Sequence, residues 1–79
     1  MKKHYWLSFA DADLPKGSQF LGACVVVARD AIKAVQKAHK LKINPGGEVA
    51  IVEMKNAMGF PVNKLMTADE IKSIEKEQL

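Results

Sequence analysis

Polar and apolar residues alternate from His4 to Phe9, so an extended chain carries Tyr5, Leu7 and Phe9 on one face and His4, Trp6 and Ser8 on the other. The alternation predicts a first strand. Trp6 falls on its nominally polar side, where a large ring either covers a helix or forms a contact surface. Turn formers then fill Ala10 to Gln19, including Asp11, Asp13, Pro15, Gly17 and Ser18, and this composition predicts a loop. Phe20 to Ala28 is nearly continuous in apolar character, which predicts a second strand that is central or buried on both faces.

The period changes after Ala28. Asp30 is placed to cap a helix from about Ala31 to Leu41, whose inward set is Ala31, Ala34, Val35, Ala38 and Leu41. Arg29, Lys33, Lys37 and Lys40 recur three or four residues apart and form a basic stripe on the other side, extended by Lys42. Asn44-Pro45 ends the helix, because proline disfavours the helical conformation of its predecessor, and Gly46-Gly47 permits a tight reversal. Glu48 to Lys55 predicts a third strand, with Val49, Ile51 and Glu53 facing one way and Ala50, Val52 and Met54 the other. A short fourth strand is expected near Phe60 to Lys64, held to an edge by Pro61.

Thr67-Ala68-Asp69-Glu70 is a capping box, in which Thr67 caps a final helix and Glu70 reaches back to it. Ile71 and Ile74 give that helix one apolar side, with Ala68 and Leu79 as weaker contributors. So few anchors leave the segment 67–79 dependent on docking to the sheet or to a partner. The expected architecture is α+β: one small domain over residues 1–79, with a three- or four-stranded mixed or antiparallel sheet and two helices packed on one face.

Composition narrows the class. The 79 residues are 48% hydrophobic but only 6% aromatic, enough for one aliphatic core and too few residues for two. No apolar run approaches the roughly 20 residues of a membrane-spanning helix. The basic start at Lys2 and Lys3 meets Asp11 before a signal-peptide apolar region develops, so a cytoplasmic location is expected. Cys24 is the single cysteine, which excludes an internal disulfide and a multi-cysteine metal site and predicts an inert core thiol. The net charge of +3 is uneven: residues 28–44 hold five cations against one carboxylate, and residues 67–79 hold four carboxylates against two lysines.

The candidate chemistry is sparse. Pro45-Gly46-Gly47 beside Lys40 and Lys42 offers backbone donors and cations to an anion, yet it lacks both the dinucleotide fingerprint and the P-loop ending, and it precedes a strand. An ordinary turn is the simpler reading. Asp11 and Asp13 complete no metal pattern. His4, His39 and Ser8 form no local catalytic set, so no catalytic residue, cofactor or metal is assigned. The expected function is a non-catalytic binding or regulatory module that acts through a protein interface, with a second copy of the chain as one candidate partner. Nucleic-acid or nucleotide-phosphate binding through the basic helix and the Pro-Gly-Gly turn is the alternative. The candidate interaction residues are Trp6, Arg29, Lys33, Lys37, Lys40, Lys42, Gly46 and Gly47.

Overall fold

A computed structural model describes residues 1–77 and forms a small α+β fold in the order β1 (Lys3–Ala10), β2 (Phe20–Ala28), α1 (Ala31–Lys40), β3 (Glu48–Met54) and α2 (Ala68–Glu77). Leu79 lies outside the described residues. The strands make one three-stranded antiparallel sheet in the order β2-β1-β3, so β1 is central. Both neighbours oppose β1 and therefore run parallel to each other, with α1 as the crossover between them.

The register assigns the faces. Leu7 lies opposite Cys24 and Ile51, and Tyr5 lies opposite Val26 and Glu53. Tyr5, Leu7 and Phe9 form the core on this face together with Cys24, Val26 and Ala28, and Ala34 and Ala38 of α1 close it. Alanine at those two helix positions lets the α1 backbone approach the sheet closely, and both are fully buried. Val35 and Ala31 pack at the margin as expected, whereas Leu41 remains 41% exposed at the helix end.

The termini of α1 explain its length. Asp30 is extended and its carboxylate accepts the Lys33 N–H at 2.8 Å, satisfying a donor that has no partner within the helix. At the other end, the Lys42 N–H donates to the His39 carbonyl and the Ile43 N–H to the Ala38 carbonyl, both at 3.0 Å, with Lys42 at φ +62°. This Schellman closure stops the helix before Asn44-Pro45 is reached, and it turns Ile43 back onto the core.

Burial of β2 on both faces is observed, but the strand is not central. Its outer edge is closed by the chain that follows β3: Asn63 donates to the Val25 carbonyl at 2.8 Å, and Met66 exchanges two backbone hydrogen bonds with Ala23. The expected fourth strand is reduced to two isolated bridges, one parallel at Val62 and one antiparallel at Met66. Pro61 brings no N–H, and Asn63 at φ +65° turns the chain between the bridges, so a regular ladder does not form.

Of the two helices, α1 covers the Tyr5–Leu7–Phe9 face. Helix α2 makes its contacts with β2. Ala23, Val25 and Met66 are fully buried outside the α1-side core, so the Trp6 side of β2 has its own cover.

The capping box of α2 forms as predicted: Glu70 N–H donates to the Thr67 hydroxyl and Thr67 N–H to the Glu70 carboxylate, each at 3.2 Å. Lys64 also reaches that carboxylate at 2.8 Å, and its hydrogen bond, with the Thr67 backbone donor second, holds Glu70 below the ordinary carboxylate value of 4.5. A depressed folded-state value means that this contribution is present above the unfolded value and is lost as pH falls through the lower, folded one. Acidification is therefore expected to loosen α2 before the sheet. The effect should shrink with added salt, because both partners are substantially exposed. Amide exchange at Ile71 and Ile74, followed against Leu7 and Val26, measures it. Simultaneous loss of protection in helix and sheet would show that Glu70 does not hold the helix start.

Candidate functional site

The face of the sheet away from α1 is built by His4, Trp6 and Ser8 on β1, with Val25 opposite Trp6 on one side and Val52 opposite it on the other. Phe60 meets the half-buried Trp6 edge-on, with ring centroids 5.0 Å apart and an interplanar angle of 61°. This geometry places the positive rim of one ring against the negative face of the other. Beyond the pair the surface opens into a hollow of about 500 Å³. Trp6, Val52, Met58 and Phe60 line it, together with the charged Glu53, Lys55 and Glu75. Val52 is 57% exposed and Met58 56%, so the hollow carries apolar surface to solvent. Trp6 is thus half-buried on the open face, with its ring edge-on to Phe60.

β3 forms one wall of the hollow and is thinly covered on both faces. On the α1 side Ile51 is 37% exposed, because α1 lies over β2 and β1. No strand lies beyond β3 among the described residues. At its end, Glu53 pairs with Lys3 at 3.0 Å, and the hydrogen bond to Glu53 raises the Lys3 ammonium above its ordinary value of 10.5.

The basic stripe divides. Lys37 donates its ammonium to the Val27 carbonyl at 3.0 Å and is part-buried, which ties it to the end of β2. Lys33, Lys37 and Lys40 border a second hollow of about 550 Å³ on α1. Arg29 is exposed just before the Asp30 cap, and Lys42 occupies the left-handed position of the helix closure.

The glycines do not join these cations in a hollow. Gly47 borders a separate one of about 200 Å³ with Asp11, Asp13 and Glu48, where the neighbouring carboxylates oppose an anion. Gly46 donates to the Asn44 side chain at 2.8 Å, and Asp11 accepts the Asp13 N–H at 2.9 Å, so both segments are side-chain-braced turns.

Cys24 is fully buried in the α1-side core, and burial pushes its thiol up to about 11. It is therefore a neutral, poorly nucleophilic thiol near pH 7. His4 lies on the opposite face of the sheet, and His39 is exposed on α1. Among the described residues no three His, Cys, Asp or Glu side chains are grouped to hold a metal ion, and no helix is long and apolar enough to cross a membrane.

Sequence periodicity places Trp6 on the open face but gives no sign of Phe60 as its partner, since the two meet only through the tertiary fold. The exposure of Val52 was equally hidden, because an alternating apolar strand reads as half-buried wherever it sits. Compared with protein-family models, curated proteins and solved structures, the chain matches none.

Proposed function

We propose that the protein is a non-catalytic binding module that acts through a protein interface formed by the Trp6 hollow and β3. The observation that carries this reading is the exposed apolar surface of Val52 beside the edge-on Trp6–Phe60 pair. Covering such surface is favourable by roughly 25 cal/mol per Å². The charged Glu53, Lys55 and Glu75 in the lining of the hollow set polar groups beside that apolar surface, the mixture found at protein interfaces.

A phosphate-binding role for the basic helix has less support. Lys37 is committed to a backbone carbonyl, and the glycine turn lies among carboxylates. Arg29, Lys33, Lys40 and Lys42 remain exposed, but Arg29 and Lys42 flank opposite ends of α1, so few cations stand together to pair with phosphates, and affinity for nucleic acid rises with that number.

A photo-crosslinking residue at Lys55, in the lining of the hollow, tests the interface. Irradiation of cells producing the protein is expected to give a discrete protein adduct, whereas the same probe at Lys16 in the β1–β2 loop gives none. Absence of any protein adduct at Lys55 would overturn the interface reading.

A further inference from the structure

β3 carries few of the devices that normally protect an edge strand, and its two charges, Glu48 and Glu53, stand near its ends. Its ladder to β1 runs without a bulge, it contains no proline, and the stretch Val49 to Val52 carries no charge. It is apolar on both faces, the pattern of a strand that has neighbours on each side, and yet Ile51 and Val52 are both exposed. The opposite edge of the sheet, at β2, is closed by the Val62 and Met66 bridges. The bare edge is therefore confined to β3.

We propose that this edge is the seam of a twofold dimer, in which β3 pairs antiparallel with β3 of a second copy about Ile51. The proposal rests on the protein-interface reading and names its partner. Charge selects the antiparallel arrangement. Glu48 opens the strand and Lys55 follows its end, and neither forms an ion pair among the described residues. Antiparallel pairing brings Glu48 of each copy near Lys55 of the other at both ends of the seam, whereas parallel pairing would set like charges together.

The twofold axis also conserves the faces. With Ile51 opposite Ile51, Ala50 meets Val52 and Val49 meets Glu53, whose charge Lys3 already offsets. No like charges stand directly opposite. The pairing covers Ile51 on the α1 side and Val52 on the hollow side in a single step, and the self-complementary patch closes on itself without growing into a filament.

Sedimentation equilibrium over a range of micromolar concentrations should show a reversible monomer–dimer equilibrium. Mixed samples of isotope-labelled and unlabelled protein should give interchain NOEs between β3 residues, including Ile51 to Ile51. Val52→Lys places at the edge the lysine it lacks, at a site exposed enough to leave the monomer folded by circular dichroism. It acts twice in the dimer and should weaken association at least about tenfold. A dimer whose interchain NOEs lie elsewhere, or a persistent monomer at high micromolar concentration, would overturn the seam. A monomer that still yields an adduct with another protein at Lys55 would leave the interface reading standing, and loss of both results would end both.

Discussion

Phe9→Ala is expected to destabilise the protein by about 3–5 kcal/mol, from a total of about 4–12 kcal/mol for a domain of this length. Phe9 is the largest fully buried side chain among the described residues, 1% exposed in the α1-side core. Its neighbours there are held by the β1 ladders and by α1, so they collapse only partly into the space it leaves. Phe20→Ala removes the same ring from the start of β2, where it is 42% exposed, and should change stability by less than about 1 kcal/mol. Urea unfolding of both variants, followed by Trp6 fluorescence, gives the comparison directly. Equal losses would mean that the core is not centred on Phe9.

The second large effect separates two adjacent glycines. Gly46 and Gly47 both have positive φ, at +92° and +74°, so either alanine variant is strained. A Cβ at Gly46 meets nothing within 4 Å, and Gly46→Ala should cost about 1 kcal/mol. A Cβ at Gly47 would run into the Ala10 carbonyl oxygen and crowd Leu21. Because Ala10 pairs with Glu48 at the first rung of β3, relief requires the β1–β3 ladder itself to shift. Gly47→Ala should therefore cost roughly 3 kcal/mol or more. Thermal and denaturant midpoints of the two variants test the difference, and similar values would show that the Ala10 approach is not rigid. The Gly-Gly pair is needed for chain reversal, and only its second member is needed for close passage.

Local chemistry was legible wherever a side chain acts within a turn of its own backbone. Asp30 and the Thr67–Glu70 box could be assigned from spacing alone, and so could the face of each β1 and β3 residue. The position of β2 could not, because an unbroken apolar run reports burial on both faces without saying what provides it. Here it is the chain around Val62 and Met66 rather than a further strand. The end of α1 was placed to within a residue, but its cause was hidden: the left-handed closing residue is Lys42, where no glycine marks the turn. Lys37 looked like a member of a solvated stripe because spacing cannot show that its long stem reaches the Val27 carbonyl. The candidate surface was therefore half visible, with Trp6 on the right face and both Phe60 and the bare β3 edge supplied by tertiary contacts.

The central position of β1 gives its two ladders unequal reach along the chain. β2 returns to it across a single loop, fastened where Asp11 donates to the Gln19 carbonyl at 2.8 Å. β3 reaches it only after β2, α1 and the glycine turn have been placed. Closing the longer loop costs more chain entropy before any contact offsets it, so the β1–β2 hairpin and α1 are expected to assemble first and β3 to dock last. Until then the second edge of β1 presents unpaired backbone groups to any strand of matching pattern. The β3 of a neighbouring chain has that pattern, so concentrated refolding favours exchange of β3 between molecules, while dilution leaves each chain to complete its own sheet.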